Sequence, residues 1–197
     1  MDRFPRTTIR TSSPTVVVSF AGGDEVFEVA PGFLSATEAV SRYWIPRPPS
    51  GWMETAPAAH LRYVTDVNKN PQGGAKALTR LLKAWKAARR VPVSSFYLEM
   101  AAAEHMTGEP YFDPLSDLQA ILQKLSASQL RALIDPTGQT GLIHATSSLG
   151  GYFGAMSAVQ DAKHNARQAF IARAHEQELT AFGFLQKIFD RGFPAYA

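Results

Sequence analysis

The sequence predicts an α+β protein that is predominantly helical, and three observations lead to that prediction. The first third alternates β-branched and polar residues in short runs, which is typical of half-buried strands. The remainder contains long segments whose apolar residues recur at helical spacing. Between the two, the stretch WIPRPPSGWMETAP (44–57) holds four prolines and one glycine, so we expect it to be irregular.

The strand region begins with a predicted β-hairpin. Residues 15–20 and 26–30 form its two arms, and Gly22-Gly23-Asp24 has the composition of its turn. An isolated hairpin is at best marginally stable in water, so we expect it to pack on a larger sheet or on helices.

Helices are predicted for most of the chain after residue 55. The clearest is 75–89, where Leu78, Leu81, Leu82 and Trp85 make one apolar stripe, and Ser94 has the character of an N-cap for the next helix. The predicted helices cover about 57–69, 75–89, 95–106, 115–124, 127–134 and 155–183. Small residues, mostly alanines, recur along one face of the last helix and allow close packing of helices.

Composition excludes several classes of protein. The chain has no cysteine, which rules out disulfide frameworks and thiolate zinc sites. No apolar stretch reaches the roughly 20 residues that span a bilayer, and the first residues lack the apolar core of a signal peptide. We therefore expect a cytoplasmic protein with no membrane partner.

General catalytic signatures are missing from the sequence. There is no P-loop, no nucleophile elbow and no HExxH motif, and the five histidines lack ligand spacing, so we assign them no role. The glycine-rich cluster 150–154 precedes a helix, where backbone N–H groups can bind an anion. It follows no clear strand, so we expect a plain loop there.

Basic residues cluster on the predicted 75–89 helix. Lys76, Arg80, Lys83 and Arg90 recur at steps of four, three and seven, which places them on one stripe roughly opposite the leucines. Two interpretations stay open: a solvated face of an amphipathic helix, or a face that contacts phosphate.

Glu28 also has two interpretations. It is either an exposed strand residue or one member of a set of metal-binding carboxylates. One carboxylate cannot hold the two Mg²⁺ ions of a nucleotidyl-transfer site, because such sites use several carboxylates to bridge two metals.

Seven segments in a fixed order give the chain a family resemblance. From about residue 10 to the last residues, it resembles the bacterial cGAS/DncV-like nucleotidyltransferases of CBASS antiviral defence and, more distantly, the oligoadenylate synthetases. The segments are VVVSF with VFEVAPGF, YWIP, GW with TAPAAH, LTRLLKAWK, VSSFYLE, DPTG and FLQKIFDRGFP. The resemblance implies a polymerase-β-like catalytic core, a helical lobe after it, and nucleotide bound between them.

The resemblance also implies roles for individual residues. Glu28 lies three residues before Pro31, and the third catalytic carboxylate of the family also lies three residues before a proline. This match implies that Glu28 is a ligand of Mg²⁺ or Mn²⁺, or a general base. Lys83 matches a lysine that contacts the triphosphate, and Ser95 matches a phosphate-binding hydroxyl. Phe96 matches an aromatic residue that stacks on a base, while a core position for it stays open.

Two parts of the family pattern are absent, since the chain contains no Gly-Ser pair and no Asp-x-Asp pattern. We therefore expect residues 1–55 to be a remnant of the catalytic core, with a partial sheet, and residues 56–197 to be the helical lobe. A truncated gene, a split gene or a chosen expression fragment would each give this arrangement. Such a chain would be inactive by itself and would need a separate N-terminal half.

If completed, the enzyme would use ATP or other NTPs to make cyclic or linear oligonucleotide messengers and would not require nucleic acid. Whether the chain itself is an enzyme stays open. It can also be a non-catalytic nucleotide-binding module, or a helical interaction domain whose basic stripe binds nucleic acid in a salt-dependent way.

Overall fold

The computed structural model describes residues 6–12, 15–20, 25–37, 40–47, 50–69, 73–190 and 193–194. The chain divides into two compact units, Met1–His60 and Leu61–Ala197. Strands make up most of the first unit, and helices make up most of the second. The α+β, predominantly helical fold class predicted from the sequence is therefore confirmed.

The first unit contains an antiparallel sheet of three strands in the order β1 (Thr8–Ser12), β2 (Thr15–Phe20) and β3 (Glu25–Val29). The predicted hairpin is confirmed as β2 and β3, in a register that pairs Val17 with Glu28. The predicted Gly22-Gly23-Asp24 turn lies outside the described residues. The hairpin is not the whole sheet, because β1 pairs with the other edge of β2.

A second antiparallel sheet corrects the prediction of an irregular segment at 44–57. Its strands are β4 (Phe33–Thr37), β5 (Ser41–Pro46) and β6 (Trp52–Thr55), and Ile45 pairs with Met53. The prediction was wrong because Pro46 stands at the last residue of a strand, where a proline disrupts little of the ladder. The turn closes with Arg47 N–H donating to the Gly51 carbonyl at 2.9 Å, and Gly51 adopts a positive φ of 91°.

The helices begin with α1 (Pro57–Asn68), and the second unit adds five more and a short two-stranded sheet. These elements are α2 (Gly74–Arg89), α3 (Ser95–Thr107), α4 (Pro114–Ala127), β7 (Leu133–Ile134), β8 (Leu142–Ile143), α5 (Leu149–Ala174) and α6 (Glu178–Phe189). The first three helices confirm the prediction. Ser94 is the N-cap of α3, because its hydroxyl accepts a hydrogen bond from Tyr97 N–H at 3.3 Å.

Two predicted helix boundaries are wrong. The predicted helix at 115–124 is α4, which continues to Ala127, whereas the predicted helix at 127–134 does not form, because Gln129 and Leu130 take left-handed φ angles of 52° and 53° and residues 133–134 belong to β7. The long helix at 155–183 is interrupted, because Glu176 has a φ of 58° and the chain turns between α5 and α6. No glycine or proline marks that break in the sequence.

The core of the second unit forms where helix faces meet. The α2 stripe is buried, with Leu78, Leu82 and Trp85 no more than 1% exposed. Buried alanines of α5, including Ala155 and Ala166, let α5 pack closely between α4 and α6. Across the residues that the structure describes, no helix combines the length and apolar character needed to cross a membrane.

An ion pair joins the start of α4 to the end of α5. Arg173 donates to both carboxylate oxygens of Asp113, at 3.0 and 2.9 Å. Asp113 is also the N-cap of α4 and accepts from Ser116 N–H at 2.7 Å. The hydrogen bonds from Arg173 lower the pKa of Asp113 to about 2, against the opposing effect of partial burial.

Candidate functional site

The candidate site is built from one face of α2. Lys83 and Lys86 stand three residues apart on this helix, so their side chains leave on the same side. Both side chains are half-buried, whereas Lys76 and Arg80 are exposed. The basic stripe predicted from the sequence therefore divides into a solvated part and a part that lies against another helix.

The facing side comes from α3, where Ser95 and Glu99 stand four residues apart. The chain reverses between Arg90, in a left-handed conformation with φ of 50°, and the N-cap Ser94. Val91 and Val93 are buried within this reversal and fix it to the core. As a result the first turns of α3 lie beside the last turns of α2.

Two short contacts connect the helices. Lys83 Nζ donates to Glu99 Oε2 at 2.6 Å, and Lys86 Nζ donates to Ser95 Oγ at 2.6 Å. The Lys83 and Glu99 side chains are 41% and 29% exposed, so solvent and solutes can reach the pair. We call Lys83, Lys86, Ser95 and Glu99 the lysine-pair site.

The lysine-pair site favours anions. It contains two ammonium groups and one carboxylate, so its formal side-chain charge is positive. Lysine ammonium groups are point charges with three donors each, and Lys83 can donate hydrogen bonds beyond its contact with Glu99. The Ser95 hydroxyl accepts from Lys86 and still has its own proton to donate. The arrangement is suited to binding phosphate oxygens.

Phe96 follows Ser95 in the first turn of α3. Its side chain is 37% exposed, whereas the next residue, Tyr97, is fully buried and donates a hydrogen bond to the Arg131 carbonyl at 2.9 Å. Burial raises the pKa of Tyr97 to about 12. Tyr97 is thus the core aromatic of this turn, and Phe96 presents part of its ring to solvent.

Glu28 lies in the first unit, on β3. It is exposed, and its cross-strand partner is Val17. Glu25 is on the same strand but three residues away, so it faces the opposite side of the sheet. Within the described ranges, the Glu28 carboxylate has no hydrogen-bond or ion-pair partner.

The Mg²⁺ ions that the resemblance implies need more carboxylates than Glu28 alone. The part of the chain that the structure describes contains no group of three or more His, Cys, Asp or Glu side chains placed to hold a metal ion. Two-metal sites require several carboxylates. The described residues therefore do not by themselves fit the two Mg²⁺ ions, and no chemical step is assigned to metal in this chain.

His105 and the glycine cluster have structural roles. His105 is buried, and its Nδ1 lies 2.7 Å from Lys124 Nζ while its Nε2 lies 3.0 Å from Asp117 Oδ1. An ammonium only donates, so Nδ1 accepts and Nε2 carries the proton donated to Asp117. The glycine cluster 150–154 is not the expected loop, because it forms the first turns of α5 behind the N-cap Ser148.

The helical unit has a cleft of about 500 Å³ beside α2, α5 and α6. Its lining includes Trp85, Arg89, Ser157, Asp161, Asn165 and Lys187. Arg89 follows Lys86 by three residues on α2, so the cleft borders the turn of α2 that carries Lys86.

Two members of the lysine-pair site were missed in the sequence. Lys86 was passed over because it lies off the stripe of Lys76, Arg80, Lys83 and Arg90, and Glu99 because a helical glutamate is usually solvated. The sequence does contain a signal for these two residues, which is their helical spacing. Lys86 follows Lys83 by three residues, and Glu99 follows Ser95 by four, so each pair lies on one face of its helix. Two such pairs on consecutive helices joined by a short reversal are able to face each other.

Comparison with known proteins gives one curated relative and several solved structures. No protein-family model matches the chain. The chain is similar to a probable cyclic nucleotide synthase of Bacillus cereus strain VD146, with 22% identity over 142 residues. That similarity covers 71% of this chain and 43% of the relative.

Two solved structures illustrate the likeness of fold. The structure of E. coli MS115-1 CdnC with ATP matches with a TM-score of 0.74 and 19% identity, over 95% of this chain and 66% of CdnC. The Vibrio cholerae DncV cyclic AMP-GMP synthase, in complex with the linear intermediate pppA(3′,5′)pG, matches with a TM-score of 0.73 and 12% identity. This match covers 96% of this chain and 55% of DncV.

These similarities establish the fold, which is shared with parts of CdnC and DncV. They agree with the cGAS/DncV-like resemblance seen in the sequence segments. The chain spans less than two thirds of the length of each of these proteins.

Proposed function

We propose that the chain is the C-terminal part of a nucleotidyltransferase that joins NTPs into cyclic or linear oligonucleotide messengers in antiphage defence. The observation that carries the proposal is the lysine-pair site, in which two ammonium groups of α2 contact Ser95 and Glu99 of α3 in a fold shared with CdnC and DncV. The ATP in the CdnC structure and the linear intermediate in the DncV structure support nucleotide as the ligand class.

In this proposal Lys83 and Ser95 bind the triphosphate of ATP or another NTP. Charge-assisted hydrogen bonds from an ammonium are among the strongest available to a phosphate, and the Ser95 hydroxyl adds a neutral donor beside them. Phe96 would stack on the base with the exposed part of its ring. Stacking on an aromatic side chain tolerates any base, so it supplies affinity without fixing which nucleotide binds.

Glu28 would act as a metal ligand and general base only together with carboxylates that the described residues do not supply. We therefore propose that the chain makes no product by itself and that its site is completed by a separate N-terminal half, with Mg²⁺ or Mn²⁺ bound there. The cytoplasm, where NTPs are available, is the proposed location.

A second candidate function is a nucleotide-binding module without catalysis. Two observations favour it. Among the described residues, no further carboxylates join Glu28 in a metal-binding group. All four residues of the lysine-pair site, in contrast, lie within the second unit. Under this candidate the chain binds ATP and turns none over.

Turnover by the purified chain tests the first candidate. Incubation with labelled ATP and GTP and with Mg²⁺ or Mn²⁺ is expected to give no oligonucleotide and no pyrophosphate, because the carboxylate set is incomplete. Glu25→Ala is the matched control for Glu28→Ala, since both remove an exposed glutamate from β3. Product that is retained in Glu25→Ala and lost in Glu28→Ala would show a complete active site and overturn the view that the chain is inactive alone.

A further inference from the structure

We propose that the cleft beside α2, α5 and α6 is a second ligand site, which binds a small phosphate ester that carries hydroxyl groups. Its volume of about 500 Å³ lies within the range of about 300 to 1,000 Å³ that small-molecule sites occupy. None of the residues that line it belongs to the lysine-pair site. The cleft can therefore bind its ligand whether or not the lysine-pair site binds nucleotide.

Two cations from different helices line the cleft. Arg89 lies in the last turn of α2 and Lys187 in the last turn of α6, and both residues are exposed. Within the described ranges, the Arg89 guanidinium has no hydrogen-bond or ion-pair partner, and the Lys187 ammonium lies 4.7 Å from the centre of the Phe184 ring. A contact with a ring face leaves N–H groups of the ammonium able to donate. A phosphate group that reaches both cations therefore gains charge-assisted hydrogen bonds.

The Arg89 side chain is not required to cap the end of α2. Arg90 N–H donates to the Ala87 carbonyl at 3.3 Å, and Val91 N–H donates to the Lys86 carbonyl at 3.0 Å. Backbone groups thus satisfy these carbonyls of the last turn. The guanidinium can therefore donate to a ligand without uncapping the helix.

Helix α5 supplies groups of a different kind. Ser157, Asp161 and Asn165 stand four residues apart, so they lie on one face of the helix. Asn165 Nδ2 donates to the Asp161 backbone carbonyl at 2.8 Å, which leaves the amide oxygen and a second N–H for a ligand. The Asp161 carboxylate accepts, whereas the serine hydroxyl and the asparagine amide both donate and accept. This combination complements neighbouring hydroxyl groups of a ligand, which also donate and accept.

Asp161 orients the ligand and selects an ester over free phosphate. Its negative charge repels phosphate, so the anionic end is expected to lie toward Arg89 and Lys187, with the hydroxyl groups toward α5. Free phosphate gains only the contacts with the cations. An ester that carries hydroxyl groups gains the contacts with α5 as well.

The buried part of the lining is apolar. Trp85 and Ile188 are each 1% exposed, and Ala162 is 3% exposed. A closely packed surface of this kind changes shape little, and it can contact the C–H groups of a ligand. The polar groups around it then decide how the ligand is oriented.

Calorimetry of the full chain with ribose 5-phosphate, orthophosphate and ribose, at constant ionic strength, tests the site. Ribose 5-phosphate is expected to bind at least about tenfold more tightly than orthophosphate or ribose, because only the ester reaches both kinds of group. Arg89→Ala is expected to weaken the binding of ribose 5-phosphate at least about tenfold. Asp161→Ala is expected to weaken it about fivefold without weakening orthophosphate, because it removes a hydroxyl acceptor and a charge that repels phosphate.

Arg167→Ala is the matched control, because Arg167 is an exposed arginine of α5 that does not line the cleft. It is expected to change the affinity for ribose 5-phosphate by less than about twofold, as a screened surface charge does. Circular dichroism checks that the variants, all at exposed positions, are folded. Three results overturn the proposal: no saturable binding of ribose 5-phosphate, equal affinities for ribose 5-phosphate and orthophosphate, or equal weakening by Arg89→Ala and Arg167→Ala.

AMP identifies the source of the ester, because it contains ribose 5-phosphate with a base attached. AMP binding that matches ribose 5-phosphate and needs Arg89 supports the site with nucleotides among its ligands. AMP binding that is weaker than that of ribose 5-phosphate supports the site with a free sugar phosphate as its ligand.

Lys83→Ala separates the cleft from the lysine-pair site, and it is expected to leave the affinity for ribose 5-phosphate within about twofold. Loss of that binding in Lys83→Ala but not in Arg89→Ala would contradict the cleft site. Ribose 5-phosphate binding that needs Arg89, with ATP binding absent or insensitive to Lys83→Ala, supports the cleft and contradicts the proposed function. ATP binding that needs Lys83, without ribose 5-phosphate binding, does the reverse.

Discussion

Replacing Trp85 by alanine is expected to destabilise the helical unit by about 3 to 5 kcal/mol. The side chain is 1% exposed and is among the largest fully buried side chains of the described residues. Its removal loses apolar burial and leaves a cavity that surrounding helices cannot fill. Because Trp85 lies between Lys83 and Lys86 in the sequence of α2, the same change is expected to loosen the helix that carries both lysines.

Urea unfolding followed by circular dichroism at the helical minimum measures this effect. Phe153→Ala is the control, because Phe153 is an aromatic residue of α5 in the same unit and is 63% exposed. Its loss is expected to change the free energy of unfolding by about 1 kcal/mol or less. A similar small change for Trp85→Ala would show that Trp85 is not at the centre of this core.

Asp135→Asn is expected to have the second largest effect, about 3 kcal/mol of lost stability. Asp135 is 3% exposed, and its carboxylate accepts at least five hydrogen bonds from the loop that follows it. The donors are the N–H groups of Thr137, Gln139 and Thr140 and the hydroxyls of both threonines. An asparagine NH₂ group cannot accept, so donors on one side of the carboxylate would be left unpaired and buried.

The same unfolding measurement applies, with Asp161→Asn as a charge-matched control. Asp161 is exposed on α5, so its neutralisation is expected to change stability by about 0.5 kcal/mol or less. An equal effect of the two substitutions would mean that the loop is held by contacts other than the Asp135 carboxylate.

The bounds of the helices were predicted well from the sequence where a periodic apolar stripe was followed or preceded by a residue that caps or breaks a helix. The α2 stripe and the Ser94 cap are such cases, since each depends on residues within one or two turns. The prediction failed where the deciding contact is non-local. Residues 44–46 and 52–55 form strands because β5 pairs with β6 and with β4, and proline content alone gave the opposite indication.

The candidate site was predicted in part for the same reason. The resemblance identified Lys83, Ser95 and Phe96, and the structure places all three on α2 and α3, although their roles stay predictions. Lys86 and Glu99 required knowledge of how the two helices face each other, which no single segment contains. Glu28 was placed on a strand as expected, and its predicted role in metal binding stays untested.

If α2 and α3 form a nucleotide site, the full chain binds ATP, and calorimetric titration measures that binding. Saturable ATP binding is expected, and Lys83→Ala is expected to weaken it at least about tenfold, because the ammonium beside Glu99 would be lost. Arg80→Ala, on the solvated side of α2, is expected to leave the ATP affinity within about twofold. The absence of ATP binding, or ATP binding that Lys83→Ala leaves unchanged, would show that α2 and α3 do not form a nucleotide site.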